Sequence, residues 1–156
     1  MLLRDGISGF YNTEIDISLT DTSHFKKLCY ALANHVGGKL LNVSEPQETN
    51  FYCADIQING KEIHILLNGI YPLIAIASRV EYMNILFIDD QTISIGIEAY
   101  STEYRVLQLR ELSEQIQLDD RKNKLRNENT LNEKELKQIF YWKPKTVGEV
   151  IYNHWD

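Results

Sequence analysis

The sequence predicts an α+β domain, in which an antiparallel sheet of about six strands carries one N-terminal helix on a face and C-terminal helices pack against it. Three observations predict this class: one amphipathic helical segment, a following run of short apolar segments separated by turns, and two helix-start signals after residue 129. The 156 residues contain no linker or internal repeat. We therefore expect a single domain over 1–156, with the sheet region in 1–100 and the helical part in 105–156.

The first two elements are predicted from their apolar spacing. Residues 13–19 alternate between apolar and polar side chains, which indicates a strand with one solvated side. Several candidate N-caps then precede a helix that we expect to run to about Val36, where Gly37 and Gly38 end it. Its predicted buried stripe, at helical spacing, is Phe25, Leu28, Cys29, Leu32 and Val36.

The sheet is predicted from a succession of apolar runs between turn sequences. Asn59-Gly60 is a strong signal for a two-residue hairpin. The nearly continuous apolar runs at 73–78 and 82–88 favour strands at the sheet centre, covered on both faces. Asp89-Asp90 is interpreted as a turn. The predicted strands are 39–43, 51–58, 61–67, 73–78, 82–88 and, from the alternation of Ile93, Ile95 and Ile97, 92–100.

The segment after the sheet is less regular. Residues 105–118 have a mixed pattern that indicates a strand end or loop passing into a helix. Residues 119–129 are polar and contain four basic side chains, whose charge three nearby acids largely offset. We interpret this stretch as solvated, the alternative being a contact with a phosphate or an acidic partner.

Two capping boxes predict the C-terminal helices. Thr130 with Glu133 would open a helix that runs to about Trp142, with Leu136, Ile139 and Phe140 facing inward and Pro144 closing it. Thr146 with Glu149 would open a terminal helix that ends at Asp156. We expect Trp142 and Trp155 to pack against the sheet.

Composition narrows the function classes. The net charge of −6 and a pI near 5.2 argue against a nucleic-acid-binding surface and are compatible with a basic partner. No apolar run is long enough to span a bilayer, so we expect a soluble, cytoplasmic protein. Cys29 and Cys53 are too few for a disulfide framework and are predicted to be free, buried thiols.

No catalytic, cofactor or metal-binding motif is recognisable, so neither a cofactor nor a metal is predicted. Gly37-Gly38 follows a helix, whereas a phosphate-binding loop opens one. No cysteine or histidine pair has close metal-ligand spacing. His64 beside Glu62 is expected to be a surface residue. Asp89, Asp90 and Glu98 could gather carboxylates near a sheet edge, although the turn interpretation of the aspartates is preferred.

The C-terminal stretch carries a resemblance to a known class of proteins. Its residues Trp142, Pro144, Thr146, Gly148, Ile151, Asn153, Trp155 and Asp156 form a spaced signature. This signature resembles the C-terminal pattern of small bacterial immunity proteins, and residues 131–136 are compatible with it. The resemblance covers residues 131–156 and leaves the sheet region unmatched. It implies an immunity protein (antitoxin) that binds and occludes a cognate toxin.

The resemblance and the composition together suggest which residues would meet the toxin. An acidic inhibitor gains association rate against a basic toxin domain through long-range attraction. Nine tyrosines against five phenylalanines also favour a recognition surface, because tyrosine combines contact area with a polar tip. The expected partner-binding residues are Glu62, Asp89, Asp90, Glu98 and Tyr100, with Tyr71 and Tyr82 as aromatic anchors.

Two alternatives come from other function classes. One is a structural or assembly protein that associates through an edge strand or the C-terminal helices. The other is a small enzyme whose active site combines His64 with Asp89, Asp90 and Glu98. The oligomeric state is not predicted.

Overall fold

A computed structural model describes residues 1–11 and 22–155 of the chain. The strand predicted at 13–19 therefore lies outside the described residues. The helices and strands in chain order are α1 (Thr22–His35), β1 (Lys39–Ser44), β2 (Phe51–Ile58), β3 (Lys61–Asn68), β4 (Leu73–Glu81), β5 (Asn84–Ile88), α2 (Gln91–Tyr100), β6 (Arg105–Val106), α3 (Leu109–Leu112), β7 (Leu118–Asp119), β8 (Lys124–Leu125), α4 (Glu133–Trp142) and α5 (Val147–Ile151).

The main sheet confirms the predicted α+β class. β1 to β5 follow one another as an antiparallel meander, and the short β6 pairs with β4 in parallel. Asn59 and Gly60 join β2 to β3 with φ values of 51° and 78°, as the two-residue turn of a hairpin requires. β7 and β8 form a separate two-stranded hairpin within the polar stretch after residue 117.

One face of the sheet is covered by α1 and α2. Phe25, Leu28, Cys29 and Leu32 of α1 are buried against the sheet, as their spacing predicts, and Val36 is partly buried beside them. The helix ends at His35, and Gly37 follows with a positive φ of 69°. The predicted N-terminal helix, its buried stripe and its glycine stop are therefore confirmed.

The prediction of a strand at 92–100 is wrong, because these residues form helix α2. Asp90 is its N-cap, and its carboxylate accepts a hydrogen bond from the backbone N–H of Ile93 at 3.0 Å. Ile93 and Ile97 lie one helical turn apart and are both buried, whereas Ile95 is 56% exposed. A Cβ on Gly96 would lie 2.8 Å from Leu32 Cδ1, so the glycine allows α2 to lie close against α1. The spacing of Ile93 and Ile97 fits the two-residue period of a strand as well as the 3.6-residue period of a helix, and the N-cap at Asp90 favours the helix.

The central position predicted for the run at 82–88 is also wrong. β5 begins at Asn84 and is the last strand of the meander. Tyr82 and Met83 form the turn that precedes it, and Met83 has a positive φ of 56°. Leu86 is 46% exposed on this edge strand. An apolar run on an edge strand is a common feature of a surface that meets a partner.

The opposite face of the sheet is covered by the N-terminal residues and the C-terminal helices. Ile139 of α4, Val150 of α5, Tyr152 and Trp155 are buried in one cluster with residues of β2 to β4. The Tyr152 hydroxyl donates to the carbonyl of Leu73 at 2.8 Å. The expectation that Trp155 packs against the sheet is supported, and Trp142 lies partly buried at the rim of the same cluster.

The helix starts differ in detail from the predicted capping boxes. α4 begins at Glu133, and its capping box pairs Asn132 with Glu135. Thr130 lies outside the helix, where its hydroxyl accepts from the N–H of Asp5 at 3.2 Å. Thr146 caps α5 as predicted, but Glu149 accepts from the N–H of Lys145. The terminal helix ends at Ile151, and Asp156 lies outside the described residues.

Glu135 uses its capping position to hold the N-terminal segment. Its buried carboxylate accepts hydrogen bonds from the N–H of Gly6 at 2.8 Å and of Ser8 at 2.9 Å, and from the Ser8 hydroxyl. Asn132 donates to it as well. Burial raises the pKa of the Glu135 carboxyl, and these hydrogen bonds oppose the rise. One side chain thus joins residues 6–8 to the start of α4.

Three asparagines, which we call the asparagine hub, tie both ends of the described chain to the sheet. The hub consists of Asn50, Asn68 and Asn153. Asn68 donates to the carbonyls of Ile7 and Ile151, each at 2.8 Å, and Asn50 donates to the same two carbonyls. The side chain of Asn153 donates to the carbonyls of Ser8 and Val150, and its backbone N–H donates to Asn50 Oδ1. The side-chain N–H groups of the hub thus supply hydrogen-bond donors to backbone carbonyl oxygens that are buried away from water.

We predict that Asn68→Asp destabilises the protein by about 3 kcal/mol or more. The substitution keeps the shape of the side chain but places carboxylate oxygens against two buried carbonyl oxygens, where an amide donor stood. Urea unfolding at neutral pH would measure the change. Asn42→Asp is the control, because Asn42 is exposed and its side chain bonds only to neighbouring Ser44 among the bonds described for it. Equal effects of the two substitutions would contradict the role of the hub.

Candidate functional site

The most enclosed groove among those described lies beside the edge strand β5 and holds about 340 Å³. Its floor is formed by buried or partly buried side chains of Phe87, Leu112 and Tyr152. Met83 and Leu109 line it and are exposed. Five residues of the C-terminal signature form much of the remaining wall, together with Glu149 and His154: Trp142, Pro144, Thr146, Asn153 and Trp155. We call this feature the β5 groove.

The signature residues build the β5 groove by distinct means. Lys143 ends α4 in the left-handed conformation, and buried Pro144 follows, so the chain turns sharply between Trp142 and α5. A Cβ on Gly148 would lie 2.8 Å from Phe87 Cε2 and 3.0 Å from the carbonyl oxygen of Leu112. A larger residue there would push α5 away from β5 and α3. Asn153 fixes the following chain through the asparagine hub.

Exposed apolar side chains concentrate around this groove. Tyr82, 71% exposed, packs edge-on against His154, with ring centroids 5.4 Å apart. Tyr141, 77% exposed, packs edge-on against Trp142 at 5.2 Å. With Met83 and Leu109 they form an apolar rim to the groove. Aromatic and aliphatic side chains grouped in this way mark surfaces that bind other molecules.

Of the seven residues predicted to bind a partner, Tyr82 lies beside the β5 groove. Tyr71 is partly buried on another part of the molecule, where its hydroxyl donates to the carbonyl of Asp5 at 2.5 Å and the Arg4 guanidinium lies 4.6 Å from its ring centroid. Glu62 is exposed on β3. The seven side chains therefore do not form one surface.

The acidic residues that the enzyme alternative combines with His64 either make structural hydrogen bonds or lie on a different face of the sheet from His64. Asp90 caps α2, and Asp89 Oδ1 accepts from the N–H of Leu109 at 2.7 Å at the start of α3. Glu98 and Tyr100 are exposed on α2, which packs against one face of the sheet. His64 lies on the other face, because it alternates along β3 with Ile63 and Ile65 of the α1–α2 core. The structure therefore does not assemble the four-residue active site of the enzyme alternative.

A second cluster of polar side chains lies on that other face. Cys53 and Asp55 are two positions apart on β2, and His64 is directly opposite Asp55 on β3. His64 Nδ1 lies 2.6 Å from Asp55 Oδ1, and the Cys53 thiol donates to the same oxygen at 3.6 Å. All three residues are partly buried, so Cys53 is less buried than predicted, whereas Cys29 is fully buried. The sequence analysis missed the cluster because it considered ligand spacing along the chain and not the pairing of residues across the predicted hairpin.

His154 connects the two sites. Its Nδ1 accepts from the N–H of Met83 at 3.3 Å, and its ring packs against Phe51 and Tyr82. It lines both the β5 groove and the cavity beside Cys53. Burial lowers the pKa of this imidazole, which favours the neutral form that can accept the Met83 hydrogen bond.

Comparisons with known proteins add no relative: no family model, no curated protein and no solved structure matches this chain. Within residues 1–11 and 22–155, no helix has both the length and the apolar character needed to cross a bilayer.

We predict that the contribution of His154 to stability is lost in acid. Its pKa is lower in the folded than in the unfolded chain, so its full contribution is present above the ordinary value near 6.5 and declines as the pH falls through the lowered folded value. The difference in unfolding free energy between the wild type and His154→Gln should therefore shrink between about pH 7.5 and pH 5. Urea titrations at both pH values measure it. His35→Gln, at an exposed position, is the control, and a difference independent of pH would contradict the assignment.

Proposed function

We propose that this chain is an immunity-type protein that neutralises a toxin domain by binding it at the β5 groove. The observation that carries the proposal is the position of the C-terminal signature. Its side chains Trp142, Pro144, Thr146, Asn153 and Trp155 line the groove, and exposed Tyr82 and Tyr141 flank it. The same residues that resemble immunity proteins therefore build the most enclosed apolar concavity described.

The groove supports binding by occlusion better than it supports chemistry. Its floor consists of apolar and aromatic side chains, and Glu149 and His154 supply the carboxyl and the imidazole that line it. An apolar or aromatic side chain of the toxin would be buried on Phe87, Leu112 and Tyr152. Such a central anchor surrounded by tyrosines is the arrangement in which a few residues supply most of the binding free energy.

The net charge of −6 favours a partner of opposite charge. A basic toxin domain would be attracted over long range and would associate faster at low salt. Glu149, which is exposed at the groove, supplies a local acidic contact. Once the toxin is seated, its own active surface would be covered by the bulk of this domain.

The test uses the protein encoded by the adjacent reading frame as the candidate toxin. We expect co-expression of this chain to restore growth, and the purified pair to form a complex. Leu109→Asp should weaken the complex at least 30-fold, because it places a carboxylate in the apolar rim (about 2 kcal/mol). Leu41→Asp is the matched control: Leu41 is 43% exposed on β1, the edge strand at the other side of the sheet.

Two results would contradict the proposal. One is the absence of a complex with the toxin domain; the other is equal weakening by the two leucine substitutions. The assembly alternative makes a different prediction for the protein without a toxin. If β5 paired with a second copy of this chain, light scattering of the isolated protein would show a mass that rises with concentration.

A further inference from the structure

We propose that Cys53, Asp55 and His64 form a binding site for Zn²⁺. They bring together a thiol, a carboxylate and an imidazole, and their ligand atoms all lie within 4.8 Å of one another. These are the three side-chain types that bind zinc in proteins. None of the three ligands lines the β5 groove, although His154 borders both cavities, and the site does not depend on the proposed toxin binding.

The hairpin holds the three ligands on a rigid frame. Ile58 pairs with Lys61 across the Asn59-Gly60 turn, and this register places His64 opposite Asp55. Cys53 points to the same face of β2 as Asp55, because side chains two positions apart share a face of a strand. β3 is bounded by β2 and β4 on its two sides, so the positions of these backbones are fixed by the sheet.

The distances are close to those of a tetrahedral zinc site. Zinc bonds of about 2.0–2.3 Å separate neighbouring ligand atoms by roughly 3.3–3.7 Å. Cys53 Sγ and Asp55 Oδ1 are 3.6 Å apart. His64 Nδ1 and Asp55 Oδ1 are 2.6 Å apart, so entry of the ion requires these partly buried side chains to separate by about 1 Å.

The surroundings leave room for a fourth ligand. A cavity of about 530 Å³ lies over the cluster and is also lined by Glu48 and His154. Water, or one of these side chains after a rotation, would complete four-coordinate geometry. A site with three protein ligands and an open position is the arrangement that zinc enzymes use, whereas structural sites are closed.

The charges balance when zinc binds. A thiolate and a carboxylate neutralise the two positive charges of the ion, with His64 as a neutral ligand. The S–H bond of Cys53 breaks, the S–Zn bond forms, and the proton passes to solvent. Burial and, next, the charge of Asp55 raise the pKa of the Cys53 thiol above its usual range. Metal binding must therefore overcome that rise, and affinity for zinc will increase with pH.

The same geometry argues against a catalytic cysteine without metal. In a nucleophilic site the imidazole contacts the thiol and the carboxylate orients the imidazole. Here Asp55 lies between them, since both the thiol and the imidazole bond to its Oδ1. A thiol whose pKa is raised is also a poor nucleophile.

The test titrates metal-free protein with Co²⁺ and with Zn²⁺. We expect one equivalent of Co²⁺ to give a thiolate-to-cobalt charge-transfer band together with the visible bands of tetrahedral cobalt, and Zn²⁺ to displace it. Zn²⁺ at about 100 times its dissociation constant should raise Tm by about 5–10 °C. Cys53→Ala should abolish the charge-transfer band, and His64→Gln should lower zinc affinity about 100-fold, measured by competition with a chelator.

Cys29→Ala is the matched control, because it removes the other thiol, which lies on the buried face of α1. This variant should keep the charge-transfer band and the zinc affinity. Far-ultraviolet circular dichroism verifies that each variant is folded. If Cys53→Ala is unfolded, the zinc affinity of His64→Gln tests the site in its place. The proposal would be overturned if the wild type showed no charge-transfer band, if the band persisted in Cys53→Ala, or if it were lost in Cys29→Ala. Equal zinc affinity of the wild type and His64→Gln would overturn it as well.

Discussion

The structure depends on the hydrogen bonds that the side-chain amides of Asn50 and Asn68 donate to the carbonyls of Ile7 and Ile151. Both carbonyls belong to buried residues, and a buried carbonyl without a donor is costly. Because Phe51 of β2 pairs with Asn68 of β3, Asn50 and Asn68 both stand at the open end of the β2–β3 hairpin. They therefore fix one loop and one helix end against this same end of the hairpin. The wall of the β5 groove that follows Ile151 takes its position from this contact.

The parts of the fold that could be predicted from the sequence are those in which one local signal has a single structural meaning. Asn59-Gly60 allows positive φ at both turn positions, and Gly37 ends α1 for the same reason. The signal in residues 92–100 has two structural meanings, because the spacing of Ile93 and Ile97 fits a strand and a helix equally well. The carboxylate of Asp90 caps Ile93 and favours the helix, and an aspartate three residues before the first isoleucine of the run was a usable signal. Asn132 and Glu135 were overlooked because Thr130 and Glu133 offered the same pattern two residues earlier.

The two candidate sites differ in how far sequence reasoning could reach them. Once the hairpin turn is accepted, Ile58 is opposite Lys61 and Asp55 must be opposite His64, so the Cys53–Asp55–His64 cluster was within reach. The β5 groove was not, because its lining comes from Met83 to Trp155 and depends on where α3 and α5 meet an edge strand. Local capping and packing signals explained the signature residues as structural, and the structure agrees. Those structural tasks nevertheless place the same residues around the concavity.

The sequence separation within the asparagine hub has a consequence for how the chain folds. Asn153 Nδ2 donates to the carbonyl of Ser8 across 145 positions, and Gly6 donates to Glu135 across 129. Contacts between such distant residues form only after a long loop has closed, and loop closure costs entropy before those contacts stabilise anything. The meander and α1, built from neighbouring segments, can assemble earlier. We therefore expect the docking of the two chain ends to be a late step of folding, before which the sheet face around Leu66, Ala75 and Ala77 is uncovered by α5.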